Sequence, residues 1–350
     1  MILRNLIPPA LKTRIRNWQY QRQARAVLRA PQTQQTRLPQ LDVALVVPVW
    51  NDTVRLQRLL TQARKMNCFA QIIVIDDGSD IPIPAADDLT LIRHQTPKGA
   101  GPARNTGLTA VTTSHLLYFD SDDLLTTELP YLLADLAETT TPFDFCLFKH
   151  ADSRTATAGH WGQPDRDEAL WQAAQHSIGA LERAPATALP LLAQTANYPW
   201  NKIYRTAFLR THHIGCADTP VHEDITLHWL GFLAASSVMT SDRVCAWHHV
   251  SATGGQQTNR RGAERLQVFN ALAPVVAAAD RLENVALQAA LVSFMLDLFD
   301  WIADNIDPTY HTILDEKIAD WFTGPIQPWR SNIAAYDPVI EAKINARLGL

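Results

Sequence analysis

Residues 116–123 read L-L-Y-F-D-S-D-D, an apolar run that opens onto three carboxylates within four positions. Carboxylates this close repel one another and persist where a cation or a positively charged ligand neutralises them. A divalent ion carrying a diphosphate fits: Mg²⁺ or Mn²⁺ takes one or two carboxylate oxygens and completes its shell with phosphate oxygens and water. The same residues also suit an acidic turn capping the next helix, because Asp is a favoured cap and turn residue.

Three further polar clusters lie upstream: P-V-W-N-D at 48–52, I-D-D-G-S-D at 75–80 and K-G-A-G-P-A-R-N-T-G at 98–107. Asp77 is placed to accept a hydrogen bond from the N3–H of a uracil-like base, with backbone groups around Pro48 and Trp50 lining the same pocket, although D-D-G-S is also an ordinary turn. The glycines near 100 let backbone approach an anion, and Arg104 either contacts phosphate or orients the acidic cluster. Downstream, Glu223 and Asp224 precede an amphipathic run (Ile225, Leu227, Trp229, Leu230, Leu233). A helix N-terminus there would keep a carboxylate ionised, and only one of two adjacent residues can face a substrate.

The elements that must hold these residues follow from periodicity. Residues 43–49 form a β-branched run suited to a strand buried on both faces, and Asn51 or Asp52 can cap a helix carrying Leu56, Leu59 and Leu60. Strands are expected at 71–75, 89–93 and up to Asp120, with a helix over 101–112 between the last two. A helix follows around 128–138, a strand at 143–149 and a polar loop at 151–164. Alternation of this kind implies an α/β fold with a largely parallel sheet and helices on both faces, whose ligands bind where the strands' carboxyl ends open. From about 264 onward the pattern is helical. The expected organisation is a basic extension over 1–40, an α/β domain over 41–260 and a helical subdomain over 261–350.

The ordered series P-V-W-N-D, I-D-D-G-S-D, G-P-A-R-N-T-G and Y-F-D-S-D-D closely resembles the N-terminal half of family 2 glycosyltransferases, whose fold is called GT-A. The resemblance is strong over 41–125 and continues more thinly through P-W-N-K-I-Y at 199–204 and V-H-E-D-I at 221–225. It implies a nucleotide-sugar donor, a divalent metal (Mn²⁺ or Mg²⁺) and inverting transfer to an acceptor hydroxyl. By the same carry-over, Asp77 touches the base, Asp120 the ribose or metal, Asp122 the metal and diphosphate, and Asp224 is the general base, with Asp123 less defined. His248, in W-H-H at 247–249, is the implied third metal ligand. The chemistry agrees, since displacement at the anomeric carbon needs charge stabilised on the leaving phosphate and one carboxylate to take the acceptor's proton.

Other readings are weaker. Trp200 stacks on an acceptor sugar or belongs to the core. Gly254, Gly255, Arg260 and Arg261 form a basic lid or simply a charged surface. His212, His213, Cys216 and His222 match no common zinc spacing. A sugar-nucleotide nucleotidyltransferase would carry a glycine-rich loop after the first strand, where this chain has P-V-W-N-D. A catalytically silent nucleotide-binding scaffold at a membrane surface is the alternative from another class.

Composition sets the setting. The chain has 350 residues, 47% of them hydrophobic and 19% charged, as expected of a folded globular protein. Its four Cys residues are far apart, which points to the cytoplasm and away from a disulfide framework. No uninterrupted apolar stretch matches a membrane span or a secretory segment. The net charge of −4 is uneven: residues 1–40 hold eight Lys or Arg and no acid, leaving 23 basic against 35 acidic residues over the rest. Leu11, Ile15 and Trp18 at helical spacing make peripheral contact with an anionic membrane a reading for this arm. The acidic body argues against nucleic acid. A glycan or lipid-linked acceptor in surface polysaccharide synthesis is what the resemblance suggests.

Overall fold

The computed structural model describes residues 39–157, 162–174, 181–250 and 260–350. The basic arm up to residue 38 lies outside the described residues, and so do Ser251, Gly254 and Gly255.

Strand β1 (Val43–Val49) is buried along its whole length, as a strand covered on both faces must be. Asp52 then caps helix α1 (Thr53–Met66), its carboxylate accepting from Arg55 N at 3.3 Å. Leu56, Leu59 and Leu60 face inward from that helix, each contributing roughly 1.5–3 kcal/mol of burial. Strands β2 (Gln71–Asp76) and β3 (Thr90–Arg93), helix α2 (Ala100–Ala110) and strand β4 (His115–Tyr118) complete a parallel quartet ordered β3-β2-β1-β4. Beyond it lie β5 (Leu124–Leu125), α3 (Leu129–Glu138), β6 (Phe145–Asp152), β7 (Glu182–Arg183), β8 (Lys202–Arg205), α4 (Asp224–Ala234) and β9 (Val238–His248). Five longer helices close the described chain: α5 (Val268–Leu282), α6 (Val285–Asn305), α7 (His311–Thr323), α8 (Arg330–Tyr336) and α9 (Pro338–Leu348).

The expectation of a largely parallel sheet holds only for the first half. Strand β8 enters between β4 and β6 and runs antiparallel to both, while β6 and β9 are parallel and β5 and β7 pair antiparallel with β9. The sheet is therefore mixed. Side chains alternate with a period of two whichever way a strand runs, so K-I-Y-R carries no local mark of direction. The expected polar loop at 151–164 begins instead as the end of β6 and a short helix, Ser153–Thr157.

Pro48 sits inside a central strand, an unusual place for a residue with no N–H. Val46 O accepts from Phe119 N at 2.9 Å, so β1 addresses β4 from residue 46 and, by alternation, again from residue 48. The missing donor thus falls where β4 ends and the chain departs into the acidic tip. Pro48 is buried with the rest of the strand.

Each face of the sheet has its own core. Leu45, Val47, Val74 and Leu117 pack with α1 and α3 on one side. Ala44, Val46, Ile73, Ile75 and Tyr118 pack on the other with Ala103 of α2 and with buried residues of α4 and of the C-terminal helices, in one continuous cluster. Helix α6 is long and apolar enough to cross a membrane by length and composition, and 61% of its apolar window is buried inside the protein. It serves here as the central helix of that core.

Candidate active site

The carboxyl ends of β1, β2 and β4 bring the polar clusters together. Asn51, at φ 53°, links the first two: its backbone N–H donates to Ser79 Oγ at 2.9 Å, and its side-chain amide donates to Asp80 and accepts from Asp80 N. Trp50 beside it is 52% exposed, an aromatic face held at the rim.

Arginines surround the acidic tip. Arg55 pairs with Asp52 at 2.8 Å and approaches Asp122 at 3.5 Å, and Arg58 donates to the Asp122 carbonyl at 2.8 Å. Arg104, only 4% exposed, donates from one nitrogen to Asp120 at 2.6 Å and from the other to Glu223 at 3.0 Å. Burial works against its charge, yet the two carboxylates outweigh that cost and hold its pKa well above the ordinary value. Of the two roles open to Arg104, contacting phosphate or orienting carboxylates, the geometry shows the second. Two glycines let α2 carry it there. A Cβ on Gly107 would overlap Val46, and one on Gly101 would overlap the Ala217 carbonyl and lie 2.9 Å from Glu223 Cβ.

Across this guanidinium lies Asp224, the first residue of α4. Burial, followed by the charge of Glu223 and with Arg104 opposing, pushes its carboxyl up to about 7. A carboxylate so poised near neutrality suits a general base. Lys202 is buried too, its ammonium donating to Tyr198 O at 2.9 Å and Asn201 Oδ1 at 2.6 Å, and burial brings it down to about 7 against the pull of Asp224.

Asp77 is engaged from within the protein. Its carboxylate contacts His94 Nδ1 at 2.6 Å and accepts from Lys98 N at 3.0 Å and Gly99 N at 2.7 Å. It therefore shapes the 94–99 loop at the entry to α2, and a base contact would share oxygens that already accept these bonds.

His248 is not gathered with Asp120 and Asp122. Its Nδ1 lies 3.0 Å from Asp123, its ring packs 4.8 Å from Tyr198, and Asp123 also accepts from His249 N at 2.8 Å. Burial pushes the Asp123 carboxyl up, while Asp123 raises the His248 imidazole against desolvation. The third carboxylate of the tip thus anchors the end of β9. Trp200 is fully buried and stacked on Tyr198 at 4.5 Å, which makes it a core residue. Arg260 and Arg261 are tied by their carbonyls to Arg265 and Asp307. His212 and His213 stay exposed, and among the described residues no three His, Cys, Asp or Glu converge as a metal cage.

A diphosphate-borne cation needs less than a cage. Asp120 and Asp122 stand at the crevice rim with side chains 28% and 23% exposed. Two rim carboxylates are what Mg²⁺ takes from protein when phosphates complete its shell, so the donor set fits. Arg55, Arg58 and His94 escaped the sequence reading, because only folding brings them to the motifs they serve.

Comparison with known proteins agrees with this architecture. The model for glycosyl transferase family 2 matches residues 44–181. The pre-mycofactocin glycosyltransferase of Mycobacterium tuberculosis, in two strains, is 40% identical over 87 residues, 23% of this chain, and the chain spans 18% of the length of these curated relatives. Crystal structures of S. aureus TarS residues 1–349 share the fold. The UDP-GlcNAc complex superposes with a TM-score of 0.66 at 16% identity, covering 88% of this chain and 89% of that one, and the UDP complex with 0.60 at 18%. The fold is GT-A, and residues 44–181, which carry the ordered motifs, match glycosyl transferase family 2.

Proposed function

We propose that this chain is a metal-dependent inverting glycosyltransferase that moves a sugar from a UDP-sugar donor to a glycan or lipid-linked acceptor hydroxyl. One observation carries the reading: a single buried guanidinium, Arg104, joins Asp120 at the end of β4 to Glu223 beside Asp224. Donor-side carboxylates and a base near neutrality thereby border one crevice. The S. aureus TarS structures with UDP-GlcNAc and with UDP support a uridine diphosphate donor.

The acceptor oxygen attacks the anomeric carbon from the face opposite the nucleotide, forming the new C–O bond as the bond to the diphosphate oxygen breaks. The hydroxyl proton passes to Asp224, and UDP leaves with the bonding electron pair. Asp120 and Asp122 would hold the divalent cation, which supplies charge neutralisation for the departing diphosphate when bound. Arg104 keeps Asp120 and Glu223 in place, and Trp50 offers the donor an aromatic face at the rim. Residues 1–40 supply peripheral contact with an anionic membrane from the cytoplasmic side, and the product enters surface polysaccharide.

The test is product analysis with a panel of UDP-sugars and Mn²⁺. Wild type releases UDP and yields the inverted anomer by NMR, whereas Asp122→Ala and Asp224→Asn do not. Release of UDP undiminished in both variants refutes the assignment.

A further inference from the structure

The helical C-terminal layer brings an aromatic ring to the active-site rim. Trp301 of α6 is 38% exposed, whereas the neighbouring Ile302 and Phe299 are buried. Arg265, itself buried, lies over its ring at 4.4 Å from the centroid. His222 meets it edge-on, with ring centroids 6.3 Å apart at 87°. His222 stands two residues before Asp224, a Cα separation on the order of 5–7 Å. It also adopts φ 64°, a left-handed conformation that non-glycine residues occupy mainly where the fold imposes it, often at functional sites. Its Nε2 is buried with no hydrogen-bond partner among the described residues.

The helix face around Trp301 is polar. Asp297 and Asp304 fall at helical spacing on its side, and Asp300 precedes it. Asp297 is taken by Arg166 at 2.7 Å and Asp300 by Arg347 at 3.5 Å, while Asp304 carries no ion pair among the described residues. A partly open indole capped by a cation, flanked by a carboxylate and a bare imidazole nitrogen, matches the two-sided chemistry of a pyranose. Its C–H face suits the ring, and its hydroxyls suit Asp304 and His222.

We propose that Trp301, with Asp304 and His222, forms an acceptor platform that stacks a pyranose ring beside Asp224. This rests on the transferase reading and deepens it by naming the acceptor as a glycan whose terminal or penultimate ring is recognised by stacking. Trp301 is then a specificity-determining residue on a layer outside the nucleotide-binding strands.

The test uses the full chain and methyl pyranosides (glucoside, galactoside, N-acetylglucosaminide and rhamnoside) observed by saturation-transfer NMR, with and without UDP. UDP affinity is followed separately by calorimetry. At least one pyranoside binds wild type, Trp301→Ala weakens it about tenfold, a loss of ~1.4 kcal/mol, and Trp301→Phe retains part of the binding. UDP affinity and melting temperature stay close to wild type in both variants. Absence of pyranoside binding to wild type, or equal binding to Trp301→Ala, overturns the platform. A chain that binds no UDP instead overturns the transferase reading, and the pyranoside measurements judge the platform without it.

Discussion

Arg104 and Glu223 are 119 residues apart in sequence and 3.0 Å apart in space, and the other end of the same guanidinium holds Asp120 at 2.6 Å. Removing the cation leaves two carboxylates beside Asp224 with no counter-charge. Arg104→Ala is expected to destabilise the fold by about 3–5 kcal/mol, the usual cost of breaking a buried pair from one side. Arg104→Lys keeps the charge but not the two-pronged fork, so it recovers more stability than activity. Denaturant titration alongside UDP-release rates checks this. Full activity in the Lys variant would show that only charge matters.

Asp224 determines a pH dependence. Its carboxyl is raised to about 7, and a base must be ionised to act, so turnover should climb through neutral pH and level off above it. Stability runs the other way. The unfolded chain releases this proton near the ordinary Asp value, so the contribution is complete below about pH 4 and is lost as pH rises through 7. Asp224→Asn should lower transfer by roughly 10²–10⁴-fold and flatten that loss. Melting curves at pH 5 and pH 8 test it, and a variant with the wild-type stability profile would contradict the buried assignment.

Gly101→Ala tests the seam between α2 and the loop before α4. The added methyl meets the Ala217 carbonyl and Glu223 Cβ, both backbone-bound, so something must shift. A cost of about 1–3 kcal/mol is expected, with a fall in turnover greater than for a control Gly349→Ala at the chain end. Equal effects at the two sites would argue that the seam does not position Glu223.

The acidic tip makes a prediction about cations. UDP with Mn²⁺ should raise the melting temperature, because a ligand bound only by the folded state stabilises by about 2.7 kcal/mol at a hundredfold excess over Kd. EDTA or Asp122→Ala should abolish most of that rise. Differential scanning fluorimetry decides, and an unchanged shift in EDTA would mean that the arginines alone hold the diphosphate.

How much of this was legible beforehand depends on the range of each signal. The run 43–49, the cap at Asp52 and the helical spacing of Leu56, Leu59 and Leu60 are local, and all three appear where expected. The polar clusters at 48–52, 75–80 and 120–123 also follow strand ends as expected. W-H-H says nothing about which way a strand end turns, so the contact of His248 with Asp123, across 125 residues of sequence, is not legible in it. By sequence Trp200 suits a sugar or the core equally, and only the fold stacks Tyr198 upon it.

By itself the sequence determined that three carboxylate-bearing segments would stand at the ends of buried strands, because hydrophobic period and turn chemistry act over a few residues. Tertiary structure alone decided that β8 runs antiparallel, that Arg104 binds Asp120 to Glu223, and that Trp301 comes to rest against His222. Those relations depend on packing between surfaces far apart along the chain, and no local pattern of residue types encodes which distant side chain will meet which.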